Sequence, residues 1–267
     1  MKSYDDKTAL ITGASSGIGE AMAHSLAKRG AHLVLTARSK DKLEAIAQTI
    51  RSNHGCRVDV FTEDLSQANA AQNLYEQTKS ANIDVDLLVN NAGFGKWGEF
   101  LEFDADCYDE MLILNINSLV RLTHLFLPAM LERGSGGIMN VASVASFIPV
   151  PLAAVYSASK SFVLFFSEAL YGEYADKGIT IMALCPGGTE TGFADVANAD
   201  VDRSGASMDS PEMVAEFGLD EFSNGNISVI PGGMGNKMSA WMPRFLSRKR
   251  TIKTIKKVWG SAIGRDV

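Results

Sequence analysis

Thr8-Ala9-Leu10-Ile11-Thr12 runs directly into Gly13-Ala14-Ser15-Ser16-Gly17-Ile18-Gly19. The first five residues read as a short apolar strand, and a helical pattern follows from Glu20 to Arg29, with Gly30 as its stop. Strand, glycine turn and helix N-terminus in this order make an anion site. Glycines let backbone approach a ligand closely, and the first helical amides and the helix dipole face a pyrophosphate. The G-x-x-x-G-x-G spacing shares the mechanism of the dinucleotide fingerprint G-x-G-x-x-G, though not its arrangement. The run also matches G-x-S-x-G, with Ser15 where a hydrolase carries its nucleophile. That chemistry needs an acid and a histidine later in the chain and an oxyanion-hole loop from an earlier strand. The last histidine is His124, inside an apolar helical run, and only one short strand precedes Ser15, so the hydrolase reading is set aside.

Further strands read at His32 to Ala37, Val58 to Thr62, Ile179 to Cys185 and Ile227 to Ile230, alternating with helical stretches. Asp86-Leu87-Leu88-Val89-Asn90-Asn91-Ala92-Gly93 is a buried strand ending in a polar turn, and Gly137-Ile138-Met139-Asn140-Val141-Ala142-Ser143 delivers Ser143 at a strand's C-terminal end. Open parallel sheets place their ligands at such ends. The alternation predicts one α/β domain, a single doubly wound parallel sheet of Rossmann type with helices on both faces. Two long helical stretches stand out, Asp106 to Arg133 with an interruption, and Val155 to Lys177.

Within the second of these, Val155-Tyr156-Ser157-Ala158-Ser159-Lys160 sets a tyrosine one helical turn before a lysine. Residues i and i+4 share a helix face, so the Lys160 ammonium is expected close to the Tyr156 hydroxyl. A positive charge there would stabilise phenolate and lower a pKa that starts near 10.

Taken in order, these motifs resemble the short-chain dehydrogenase/reductase family, from Lys7 to about Thr191, with a weaker match at Val229-Ile230-Pro231-Gly232. The resemblance implies an oxidoreductase that moves a hydride between a nicotinamide and a carbonyl or alcohol. It puts Gly13, Ser15, Gly17, Ile18 and Gly19 in the cofactor-phosphate turn, Asp64 and Leu65 beside the adenine, and Asn91, Ala92 and Gly93 along the ribose. Asn115, Ser143, Tyr156 and Lys160 match the four catalytic positions. Tyr156 would donate a proton and Ser143 a hydrogen bond to the developing alkoxide. Lys160 would lower the tyrosine pKa and hold the nicotinamide ribose, and Asn115 would hold a water. Pro186, Gly187, Thr189 and Thr191 match the nicotinamide loop. Taken separately, Ser143 also reads as a cap or turn residue and Asn115 as a buried amide satisfied by backbone. The resemblance further implies a homodimer or homotetramer packed through the two long helices.

At 267 residues with 46% hydrophobic content, the chain is large enough to bury a core as one domain spanning 1–267. Residues 192–225 are read as a substrate lid centred on the Asp-, Ala- and Ser-rich stretch from Ala194 to Pro211, and 244–267 as a basic tail. No signal-like start and no run long and apolar enough to cross a bilayer are apparent, so a soluble, cytoplasmic protein is expected. Cys56, Cys107 and Cys185 are scattered and odd in number, which fits free thiols in a reducing compartment. His24, His32, His54 and His124 lack paired-ligand spacing, so no metal is expected. A net charge of −6 argues against nucleic acid as a partner.

The second strand ends Leu35-Thr36-Ala37-Arg38-Ser39, with arginine where an NAD-specific site carries a carboxylate. A planar guanidinium suits a 2′-phosphate, so NADP(H) is favoured over NAD(H), although Ser16 stands where a second basic residue often accompanies that preference. Phe94, Trp97, Phe147, Ile148, Pro149 and Phe193 follow the motif ends and suggest a bulky apolar ketone or aldehyde as the small-molecule substrate. The alternative is a non-catalytic nucleotide-sensing protein on the same scaffold. In the tail, Phe245, Ile252, Ile255 and Trp259 fall along one helical face, and Lys249, Arg250, Lys253, Lys256 and Lys257 over another. Docking of that apolar stripe on the protein's own body or a neighbouring subunit is favoured over peripheral contact with an anionic membrane.

Overall fold

The computed structural model describes residues 1–193, 197, 208–241 and 245–262. Seven strands are hydrogen-bonded in the order β3-β2-β1-β4-β5-β6-β7, every neighbouring pair parallel. They are β1 Thr8–Thr12, β2 His32–Ala37, β3 Val58–Thr62, β4 Leu87–Asn90, β5 Gly136–Val141, β6 Ile179–Leu184 and β7 Ser228–Val229. Between them run α1 Gly17–Lys28, α2 Lys40–His54, α3 Ala70–Ser80, α4 Ala105–Leu112, α5 Leu119–Glu132, α6 Ala154–Tyr174, α7 Pro211–Ser223, α8 Met234–Trp241 and α9 Arg248–Ala262. This is the expected doubly wound architecture. Strand order reverses between β1 and β4, the crevice where such sheets bind ligands.

Central strands are mostly apolar because both faces are covered. Ile11, Leu33, Leu35 and Leu87 on one face meet Met22 and Leu26 of α1 and Leu219 and Phe222 of α7. Leu10, Val34, Leu88 and Ile138 on the other meet Leu74 of α3 and Phe126 and Met130 of α5. Burying each such side chain contributes about 1.5–3 kcal/mol before conformational entropy is set against it.

The long stretch beginning near Asp106 is interrupted as expected. Its interruption is a π-helical turn at Ile113–Ser118 between α4 and α5. Contrary to expectation, the helical span Ala105–Glu132 is long and apolar enough by length and composition to cross a bilayer. Here it is a layer of the domain, since Leu122, Phe126, Leu127 and Met130 are buried in the cluster beneath the sheet.

Part of the expected lid, 192–225, is instead a packed helix of the body. Residues 211–223 form α7, whose Val214, Ala215, Leu219 and Phe222 are fully buried. Its Asp220 accepts from Arg29 at 2.7 Å, and Glu216 pairs with the same guanidinium. A Cβ on Gly137 of β5 would stand 2.6 Å from the Phe222 ring, so α7 lies directly on the sheet. Residues 194–196 and 198–207 of the expected lid lie outside the described residues.

Candidate active site

The glycine turn is shaped by backbone demands that only its residues meet. Gly13 and Gly17 have φ of +65° and +58°, and a Cβ on Gly19 would stand 2.4 Å from the Gly13 carbonyl oxygen. No side chain caps α1, whose N-cap is Ser16. Its first amides are therefore available to an anion at the crevice between β1 and β4. These features fit a dinucleotide pyrophosphate. Ser15 and Ile18 are part of the same half-buried turn.

The turn is tied to the end of β4. The Asn91 amide nitrogen donates to the Thr12 and Gly13 carbonyl oxygens at 2.9 and 3.3 Å, and the backbone N–H groups of Asn91 and Ala92 both donate to Thr12 Oγ1 at 2.9 Å. Asn91 thus holds the glycine turn in place, and Thr12, which the sequence reading passed over, anchors both segments.

Arg38 follows β2 at the same edge, since Thr36 pairs with Thr12 and the Ala14 N–H donates to the Thr36 carbonyl. Its guanidinium is 69% exposed and 3.8 Å from Glu110. Asp64 lies just past β3. Burial pulls its carboxyl up, but hydrogen bonds from Ser66 and the positive charge of Arg38 hold it below the usual range. Leu65 is buried beside it and its carbonyl accepts from Ser118 Oγ.

Ser143 ends the β5 connection and begins a 3-10 turn at Val144–Phe147. Its hydroxyl accepts from the Ala145 N–H at 3.1 Å and lies 3.5 Å from the Pro186 carbonyl. It also faces the Tyr156 hydroxyl and works to lower that phenol's pKa. The residue is both a cap and a partner of the tyrosine, so the two readings of it coexist. Ser146 Oγ donates to the Lys160 carbonyl and Ser161 Oγ to the Ser146 carbonyl, both at 2.8 Å. These serines fasten the turn to α6 and set Ser143 opposite Tyr156; nothing in their spacing announced it.

Asn115 sits on the π-helical turn and is almost fully buried. Its amide nitrogen donates to the Phe94 carbonyl at 2.9 Å and to Ser159 Oγ at 3.1 Å, and its oxygen accepts from the Phe94 N–H at 3.1 Å. A π turn displaces one side chain from the α-helical register, and here it delivers an amide to the loop after β4. A Cβ on Gly93 would stand 2.9 Å from Asn115 Oδ1 and 3.4 Å from Lys160 Nζ, so the three meet at one point.

The expectation that Lys160 lowers the Tyr156 pKa is corrected by burial. Lys160 Nζ donates to the Val141 carbonyl at 2.8 Å and lies 5.9 Å from the tyrosine ring centroid. Burial pushes Tyr156 up to about 12, partly offset by the nearby Ser143 hydroxyl. Burial also pulls Lys160 down to about 8, against a small opposing influence of Cys185. Removing both groups from water disfavours both charged forms, and this outweighs a mutual attraction weakened by the lysine's orientation.

The loop after β6 closes the arc. Pro186 accepts from the Val144 N–H at 2.9 Å, Gly187 abuts the Asn236 side chain of α8, Thr189 bridges to Asp209, and the Thr191 methyl lies against Gly17. The loop therefore spans from Ser143 to the glycine turn. Trp97 and Phe193 pack on the Tyr156 ring with centroids at 5.0 and 5.5 Å, and Trp259 of α9 reaches Trp97 at 5.6 Å. Phe94 and Ile148 join this cluster, whereas Phe147 packs in another and Pro149 is exposed.

The tail helix divides its expected stripe. Ile255 and Trp259 dock on the body, whereas Ile252 and Phe245 are exposed. Trp259 and Ile255 were not foreseen at the site, because their target is created only when residues far apart in sequence assemble.

A parallel sheet with a glycine turn at its switch point, and a protonated tyrosine held against a serine at the same edge, defines an oxidoreductase of the nicotinamide-dependent class. The chain belongs to the short-chain dehydrogenase/reductase family: the short chain dehydrogenase model matches residues 7–202. It is 32% identical to the human very-long-chain 3-oxoacyl-CoA reductase, over 88% of this chain and 76% of that protein. Among solved structures, a Sphingobium yanoikuyae short-chain dehydrogenase in complex with NADPH superposes with a TM-score of 0.79 at 30% identity, covering 91% of each chain. The bulky-bulky ketone specific alcohol dehydrogenase of Comamonas testosteroni gives 0.76 at 31% identity, over 85% of this chain and 87% of that one.

Proposed function

We propose that the protein is an NADP(H)-dependent reductase of bulky, apolar ketones or aldehydes, with Tyr156 as proton donor. The observation that carries this reading is the buried Tyr156 ring, packed on Trp97 with its hydroxyl facing Ser143 and pushed up to about 12, so that it holds its proton at neutral pH. A neutral phenol beside a second hydroxyl suits protonation and stabilisation of an alkoxide forming at a carbonyl carbon. The cofactor, when bound, supplies the hydride. Gly13, Gly17 and the α1 amides would hold its pyrophosphate, Lys160 its nicotinamide ribose, and Pro186 to Thr191 its nicotinamide amide. Asn115 is a positioning residue that fixes the Gly93–Phe94 backbone beside Lys160.

NADP(H) is favoured because Arg38 is exposed at the end of β2 with only a 3.8 Å contact to Glu110, leaving its fork available to a phosphate. Apolar substrate is favoured by the Phe94, Trp97, Ile148, Phe193 and Trp259 cluster around Tyr156, whose rings must part for a carbonyl to reach the hydroxyl. The names of the relatives, a reductase of very-long-chain 3-oxoacyl thioesters and an enzyme for bulky ketones, point the same way. Assembly as a homodimer or homotetramer is supported by Leu112, Phe162 and Phe165, exposed on the two long helical stretches. Cytoplasmic residence is supported by three free thiols, Cys56, Cys107 and Cys185.

The test is consumption of NADPH and of NADH against bulky ketones, ketosteroids, aldehydes, quinones and 3-oxoacyl thioesters of increasing chain length. Faster NADPH oxidation with the larger apolar carbonyls is expected. Tight dinucleotide binding with no turnover on any of them would replace this reading with the nucleotide sensor.

A further inference from the structure

Residues 234–267 carry nine of the chain's 25 Lys and Arg but one of its 31 Asp and Glu, so an acidic body ends in a cationic segment. The two helices within it border the Ser143–Tyr156 site from different elements. α8 lies against the 3-10 turn after Ser143, and α9 sets Ile255 and Trp259 on the Trp97 cluster. Outward, α8 presents Met234, Met238 and Trp241 at i, i+4 and i+7, which are 73, 62 and 58% exposed. On the other side of that helix Ala240 is buried and Asn236 bonds to Asp209 and the Pro231 carbonyl. Phe245, between the helices, is 79% exposed. On α9, Thr251 and Ile255 face inward, and Lys249, Arg250, Lys253, Lys256 and Lys257 occupy the opposite half, with exposed Ile252 and Val258 along its margins.

An in-line row of exposed methionines and an aromatic on α8, with a dense cationic face on α9 of the same segment, matches neither a solvated helix nor a core. Charge alone would also suit the acidic body of a second copy, but exposed large apolar side chains and a lysine-rich face in one short segment are the pattern of a segment seated at a headgroup boundary. We propose that α8 and α9 dock peripherally on an anionic lipid bilayer. Met234, Met238, Trp241 and Phe245 enter the interface while the α9 cations engage lipid phosphates, and the opening to Tyr156 is held at the bilayer surface, where apolar carbonyl compounds concentrate. The surface stands on charge and exposure and does not depend on the reductase reading.

The whole protein is sedimented with phosphatidylcholine vesicles, with or without about 30% phosphatidylserine, at about 25 and about 500 mM salt. Binding is expected to the anionic vesicles at low salt and to fade at high salt. Lys249→Glu/Lys253→Glu/Lys257→Glu should weaken it on the order of a hundred-fold, as each basic residue near the surface contributes about five-fold. Met234→Ser/Met238→Ser should also weaken it while leaving the salt dependence intact. Both variants should keep wild-type melting temperature and turnover of a water-soluble ketone. No sedimentation at low salt, or undiminished binding by the lysine variant, would overturn the proposal. So would a fall in molecular mass of the methionine variant by light scattering without any vesicle binding, which would assign the stripe to a second copy.

Discussion

Tyr156→Phe isolates the hydroxyl on which the reductase reading rests. The phenylalanine keeps the contacts with Trp97 and Phe193, and Ser143 Oγ retains the Ala145 N–H as donor. Losing the hydroxyl's polar contact with Ser143 costs at most about 0.5–1.5 kcal/mol, and removing a buried hydroxyl offsets part of it. Melting temperature should therefore move by only a few degrees, at about 2–4 °C per kcal/mol for a chain of this size. Turnover should fall about a hundred- to ten-thousand-fold, the range of a lost general acid, or about 2.7–5.5 kcal/mol of barrier. The assay pairs NADPH oxidation on the best ketone with cofactor affinity by nucleotide fluorescence. Turnover within about three-fold of wild type, at unchanged affinity and stability, would refute the assignment of the proton to this residue.

Ser143→Ala should cost turnover by about a hundred- to a thousand-fold and also stability by about 1 kcal/mol, because it loses both an alkoxide donor and a cap; thermal melting beside steady-state kinetics separates the two. Arg38→Asp should weaken NADPH on the order of a hundred-fold and bring NADH level with it or ahead, since a third acid would join Asp64 and Glu110; a wild type that already prefers NADH would show the arginine idle. Lys160 titrates at about 8 when folded against 10.5 as its ordinary value. Cofactor affinity should therefore decline as pH rises through about 8 and become flat there in Lys160→Met. The same linkage fixes stability in the cofactor-free protein. Below pH 8 the penalty for burying the ammonium is fully present, and it is relieved as pH climbs toward 10.5, so stability rises across that window. Tyr156 acts oppositely, with its contribution present below 10 and lost as pH approaches 12. Denaturant midpoints between pH 7 and 11 would check both signs.

What the sequence determined was local or repetitive. Apolar strands with helical stretches between them specify a doubly wound sheet, because a parallel strand must be covered on both faces and reached by a crossover. The glycine turn declares itself because only glycine accepts the left-handed backbone of Gly13 and Gly17 and the close approach at Gly19. Tyr156 and Lys160 lie on one helix, so their shared face follows from periodicity. Tertiary structure decided what depends on distant partners. Whether the tyrosine is acidified or kept protonated depends on the depth of burial and on Lys160 turning to the Val141 carbonyl, neither of which is encoded in an i, i+4 spacing. Asn115 reaches Phe94 and Ser159 only because a π turn shifts its register, and Ser146 and Ser161 matter only once α6 lies against the turn after β5. Residues 211–223 of the expected lid span form α7 because their apolar face found α1 and the sheet, and the basic tail split into a docked and an exposed side because Trp97 was there to receive Trp259. Periodicity reports which residues share a face; only the assembled chain determines what that face meets, and desolvation and hydrogen bonding follow from the meeting.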